Sequence, residues 1–92
     1  MWVVFETKVA ERAIDALQKA EKEKYQIWLQ IVRLQGPQAL RAIKGFHDEK
    51  LEGQLKHLRS SRLSKQWRVI YSVEKETVTV KVERVTPHDY RG

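Results

Sequence analysis

The hydrophobic positions of the chain change period part-way along it. Trp2, Val3, Val4 and Phe5 open it with β-branched and aromatic residues, which predicts a first strand over residues 2–6. From Lys8 the spacing becomes helical. Ala10, Ala13, Ile14, Leu17 and Ala20 recur at three- and four-residue steps, and Thr7 stands where an N-cap belongs. The charged stretch Glu21-Lys22-Glu23-Lys24 is expected to cross solvent or a helix–helix corner. A second helix follows, with Tyr25, Trp28, Leu29 and Val32 on one stripe and Ile27, Ile31 and Leu34 on a neighbouring one. So wide an apolar face predicts burial. Gly36-Pro37 stops this helix, and Pro37 starts a short third one that carries Ala39, Leu40 and Ile43 and closes at Gly45.

The second half has strand periodicity. Residues 57–63 and 67–73 flank a polar turn, Ser64-Lys65-Gln66, and Trp67, Val69, Tyr71 and Val73 alternate with Arg68, Ile70 and Ser72. A further turn around Lys75-Glu76 leads to Val78, Val80 and Val82, alternating with Thr79, Lys81 and Glu83. The prediction is a single α+β domain over residues 1–92. Its N-terminal strand and two to three helices pack on one face of an antiparallel β-meander, and the other face is free.

Composition narrows the chemistry. With no cysteine among 92 residues there is no disulfide framework and no zinc–thiolate site, and three scattered histidines lack ligand spacing, so no metal or cofactor is expected. The opening apolar run ends at Glu6, too short for a signal peptide or a membrane span, and the expected address is the cytoplasm. A hydrophobic content of 41% makes the chain too apolar for a disordered tail, while 33% charged residues give it a wet surface.

The net charge of +6 is concentrated. Residues 41–68 hold eight basic residues (Arg41, Lys44, Lys50, Lys56, Arg59, Arg62, Lys65 and Arg68) against Asp48, Glu49 and Glu52. Such a field attracts phosphates and acidic proteins alike, and its ordinary reading is a solvated surface.

Three groups within this pattern can carry chemistry. A three-residue hairpin turn would pair Leu63 with Trp67 and set Arg62 opposite Arg68, while a two-residue turn would separate the two arginines. Like charges so opposed cost stability unless an anion sits between them or the side chains splay into solvent, and guanidinium binds phosphate as a fork. The run Phe46-His47-Asp48-Glu49-Lys50-Leu51 offers Glu49 as a general base, although a solvated connector would have the same composition. The tail Thr86-Pro87-His88-Asp89-Tyr90-Arg91 puts an imidazole, a carboxylate, a phenol and a guanidinium side by side, where a frayed terminus is the ordinary reading. Arginines with a separate acid and base suit RNA cleavage by internal attack. A base removes the 2′-hydroxyl proton, arginines hold the phosphorane charge, and an acid protonates the leaving 5′-oxygen. The scheme needs no metal.

The element order and three segments resemble the RelE/ParE toxin superfamily, and most of all its RelE-, YoeB- and HigB-type mRNA interferases. The segments are Phe46 to Leu51, the run from Leu58 through Arg62-Leu63 and Trp67-Arg68-Val69-Ile70 to Tyr71, and the ending Val85-Thr86-Pro87-His88-Asp89-Tyr90. The resemblance implies a bacterial type II toxin that cuts mRNA in the ribosomal A site and is neutralised by a cognate antitoxin. It implies that Arg68 is the phosphate-binding catalytic arginine and that Arg62 is its basic neighbour. Glu49 falls near the carboxylate proposed as base. His88 and Tyr90 match the terminal acid–base groups, with Asp89 between them and His47 as further candidates. Arg59, Lys56, Lys44 and Lys65 would steer the protein onto ribosomal RNA. A second reading is a ParE-like toxin that inhibits DNA gyrase without nuclease residues. A third, a plain RNA-binding domain, lacks a platform of exposed aromatics.

Overall fold

A computed structural model describes residues 1–87. Its centre is a five-stranded mixed sheet: β1 (Val3–Glu6), β2 (Glu49–Lys50), β3 (Arg59–Arg62), β4 (Arg68–Glu74) and β5 (Thr79–Thr86), in the order β1-β5-β4-β3-β2. Strands β2 to β5 are antiparallel, and β1 joins the edge parallel to β5. Two helices, α1 (Lys8–Asp15) and α2 (Lys19–Gln35), cover one face. The α+β architecture is the one the periodicity predicts, and the mixed sheet comes from β1.

Thr7 caps α1 as expected. Its hydroxyl accepts from the Ala10 N–H at 3.0 Å and donates to the Glu83 carbonyl at 2.8 Å. That carbonyl is left over by a bulge, because Ile70 pairs with Arg84 while Tyr71 pairs with Val82, so Glu83 has no opposite number. The cap therefore ties α1 to the sheet.

The helix boundary differs from the expectation. Glu21 to Lys24 lie inside α2, and the corner falls at residues 16–18, where Gln18 is extended and Leu17 is buried. Alternating Glu and Lys are good helix formers, and charge alone does not break a helix. The buried stripe of α2 is Tyr25, Trp28, Leu29 and Val32; Ile27 and Leu34 on the neighbouring stripe are exposed.

Gly36 ends α2 with φ 92° and ψ 160°, a region that is essentially glycine-only. A Cβ there would also stand 2.8 Å from the Trp2 indole nitrogen. Gly36→Ala is expected to cost about 1–3 kcal/mol, read as a lowered urea midpoint with an unchanged slope. The third helix is a 3-10 segment, Pro37–Ala42, followed by a second at Lys44–Phe46 that contains Gly45. The stop is His47, left-handed at φ 44°, and not Gly45.

Two further expectations change. Val78 belongs to the β4–β5 turn at φ 52°, where its carbonyl accepts from the Val3 N–H at 3.1 Å. The second sheet face is partly covered, since Leu51, Leu58 and half-buried Leu55 pack on Ile70. The main core lies on the helical side. Trp28 stacks on Tyr25 at 5.7 Å and meets Tyr71 edge-on at 5.3 Å between ring centres. Among the described residues no helix is long and apolar enough to cross a membrane.

Candidate functional site

The β3–β4 hairpin has the register that a three-residue turn dictates. The Leu63 N–H donates to the Trp67 carbonyl at 2.8 Å, and Arg62 stands directly opposite Arg68. Pairing continues across the sheet and sets Thr86 opposite Arg68 on β5. Two residues along, on the same face, Glu49, Ser60, Ile70 and Arg84 make a second row. One face thus gathers Arg62, Arg68, Arg84, Ser60 and Glu49 within two rows.

Arg68 is only 5% exposed. Its Nη1, the Nε of Arg62 and the Oγ of Ser60 are buried without a hydrogen-bond partner among the described residues. Buried donors are almost always paired, and unmet capacity in a guanidinium costs more than in a neutral group. Three such atoms on adjacent positions of one face, two of them in opposed arginines, leave donor capacity that an anion would fill. His47 stands 3.7 Å from Glu49 at the edge of this face. The exposed Lys44 shares a shallow depression with His47 and Glu49.

The other basic residues are dispersed. Lys65 is exposed in the hairpin turn. Arg59 points to the opposite face, and Lys56 lines a cleft beside it. His88, Asp89 and Tyr90 lie outside the described residues. Among the described residues, no group of three or more His, Cys, Asp or Glu is placed to hold a metal ion.

Sequence reasoning overlooked Asp48, whose side chain is fully buried beside the site. Its Oδ1 accepts from the Arg59 Nε at 2.8 Å and lies 2.8 Å from Nη2, while Oδ2 accepts from the hydroxyls of Ser61 at 2.6 Å and Tyr71. Ser61 Oγ in turn accepts from the Trp28 indole N–H at 2.9 Å. Strand β2 is two residues long, too short to hold itself on the sheet by backbone bonds alone. Asp48, immediately before it, is the peg that fixes Glu49 opposite Ser60. Alternation places Asp48 on the face opposite Glu49, which is the one available signal; nothing in its neighbours announces a buried carboxylate.

The network also shapes ionisation. Burial works against the Arg59 charge, but the hydrogen bond and charge of Asp48 outweigh it and hold the guanidinium above its ordinary value. Burial, then the Asp48 charge and hydrogen bond, raise the Tyr71 phenol well above its usual range. Burial and Glu6, which accepts the Tyr25 hydroxyl, do the same for Tyr25. Both phenols keep their protons in the fold while an unfolded chain releases them near pH 10. Their contribution is complete below that pH and is lost as pH rises through the folded values. Each is expected to steepen the loss of stability above pH 10 by about 1.4 kcal/mol per pH unit. Tyr71→Phe and Tyr25→Phe should each flatten the alkaline limb of a stability–pH curve by that slope.

No protein-family model and no curated protein matches the chain. Solved structures do. The archaeal RelE of the RelE–RelB complex from Pyrococcus horikoshii aligns at TM-score 0.74 and 28% identity, covering 99% of this chain and 96% of that one. A structure of the YoeB–YefM complex from Staphylococcus aureus aligns at 0.74 and 21%, covering 97% and 99%. YafQ from E. coli aligns at 0.74 and 15%, covering 94% and 92%.

Proposed function

We propose that this chain, by its fold a member of the RelE/ParE toxin superfamily, is the toxin of a type II toxin–antitoxin system and cleaves mRNA on the ribosome. The observation that carries the reading is the opposed Arg62–Arg68 pair, with buried and unpartnered guanidinium nitrogens beside Glu49.

The chemistry follows from that arrangement. A phosphodiester drawn between the two arginines replaces the missing hydrogen-bond partners and relieves their mutual repulsion. A base takes the 2′-hydroxyl proton, the 2′-oxygen attacks phosphorus in line, and the phosphorus–5′-oxygen bond breaks. The leaving oxygen takes a proton from an acid. The products are a 2′,3′-cyclic phosphate and a 5′-hydroxyl end. Charge builds on the non-bridging oxygens in the transition state, where Arg68 and Arg62 are already oriented. Glu49 can serve as base on the described face, and His88 and Tyr90 complete the proposed acid–base set, with Asp89 and His47 as its further members. No step calls on a metal or cofactor.

Lys44, Lys56 and Lys65 supply non-specific attraction to RNA, whereas Arg59, expected to join them, has its charge met by Asp48. Two of the similar structures were solved as complexes, RelE with RelB and YoeB with YefM, which supports an antitoxin as the protein partner here. An acidic or amphipathic antitoxin segment would cover the arginine face or displace the terminal residues. In purified assays the protein should halt translation of a reporter and leave DNA gyrase supercoiling untouched. Block of supercoiling with translation intact would replace this reading with the gyrase-inhibitor one.

A further inference from the structure

The bulge on β5 changes which side chains reach the open face of the sheet. Val82 and Val85 both enter the helical core, so the two residues between them, Glu83 and Arg84, share the open face. A regular strand would send one of the two inward. The Thr7 hydroxyl, donating to the Glu83 carbonyl at 2.8 Å, anchors the bulge. Arg84 stands directly opposite Ile70, and Leu55 and Leu58 pack on Ile70 from the β2–β3 connection. With His57 these residues line a half-open pocket of about 200 Å³. It lies on the same face as Arg62 and Arg68, two residues along the strands, a step of about 7 Å.

We propose that this pocket holds the base of a nucleotide beside the scissile phosphate and selects guanine. It is smaller than the ~300–1,000 Å³ of sites for drug-sized molecules, which suits a single heterocycle. Leu55, Leu58 and Ile70 give a base carbon to lie on, and the exposed His57 ring can stack on its face. A second phosphate is disfavoured there, because the Glu83 carboxylate would repel it. The same carboxylate accepts paired N–H donors, and guanine alone among the four bases offers two adjacent ones, at N1 and the 2-amino group. The one ion pair of Glu83 among the described residues is a loose contact of its Oε2 with the Lys81 ammonium at 3.7 Å. Arg84 is exposed and in no ion pair among the described residues, so its guanidinium can donate to guanine O6 and N7. The inference rests on the ribonuclease reading for the phosphate at Arg68, and adds which base lies next to it.

The test uses the full chain and 2′-deoxy trinucleotides, which lack the attacking hydroxyl and so report binding without cleavage. Their middle base, flanked by two phosphates, is guanine, hypoxanthine, adenine, cytosine or uracil. The guanine probe should bind about tenfold tighter than the hypoxanthine one, which lacks the 2-amino group, with amide shifts at Ile70 and Arg84. Glu83→Gln should bring guanine and adenine to within about twofold of each other and leave the unfolding midpoint in place, since an exposed ion pair adds little to stability. In end-mapping, cuts by the wild type should cluster beside guanine, and those by Glu83→Gln should spread. Equal binding of all five probes, a guanine preference that survives Glu83→Gln, or no binding of any probe would each overturn the proposal. A message that stays intact while the probes still discriminate would instead overturn the ribonuclease reading and leave the pocket standing.

Discussion

Asp48→Ala should cost about 3–5 kcal/mol of folding stability, the largest loss of any single substitution outside the aromatic core. The carboxylate is fully buried and is the acceptor for Arg59, Ser61 and Tyr71 at once. Its removal leaves a guanidinium and two hydroxyls without their acceptor, and that desolvation is what makes breaking a buried pair expensive. A domain of 92 residues has a total stability on the order of 5–14 kcal/mol, so the loss is a large share of it. Asp48→Asn preserves the shape and one acceptor oxygen and should lose less. Urea unfolding measures both through the midpoint. A loss below about 1 kcal/mol for the alanine variant would mean that water replaces the network. Hydrogen exchange at Leu51, whose N–H donates to the Leu58 carbonyl at 3.0 Å, should accelerate in the same variant as the segment around β2 loosens.

Arg68→Leu carries the opposite sign on stability and the largest effect on activity. The native guanidinium is nearly buried, faces Arg62 across the ladder, and keeps one nitrogen unpartnered among the described residues. The shorter apolar side chain removes both penalties and gives up some packing, and a net gain of up to about 1 kcal/mol is expected. RNA cleavage should fall by about 10²–10³, the usual consequence of removing one oriented donor from a developing anion. Inorganic sulfate offers an independent readout. It should raise the thermal midpoint of the wild type by mass action and leave the Arg68→Leu midpoint where it was. An equal sulfate effect on both proteins would locate the anion elsewhere.

These opposed signs are related to what could be read along the chain. The hairpin was legible because its turn is short and polar and its flanks alternate, and a three-residue turn in that pattern sets Arg62 across from Arg68, whereas a two-residue turn would have parted them. The Thr7 cap and the Tyr25–Val32 stripe were legible for the same reason, as local chemistry with a fixed period. The corner at residues 16–18 was not, because propensity favours helix through Glu21 to Lys24 and only the burial of Leu17 decides where the chain turns. Strand β2 was hidden as well. Two residues have no period, and their place on the sheet comes from Asp48, whose partners lie 11 to 23 positions away. The cleft was equally beyond the reach of a linear pattern, since Trp2, Arg41, Lys56 and Lys75 meet only after the sheet is assembled. Local periodicity thus reports the arginine pair, and long-range packing supplies what positions Glu49 next to it.

Ribosome-dependent RNA cleavage by the opposed arginines is the proposed activity. Its most direct test is end-mapping of a reporter mRNA incubated with the purified protein, with and without translating ribosomes, beside Arg68→Ala. The expected cuts fall within A-site codons, leave 5′-hydroxyl ends, require ribosomes and disappear in the variant. Cuts that persist undiminished in Arg68→Ala, or an intact message from a folded protein that still arrests growth, would contradict it.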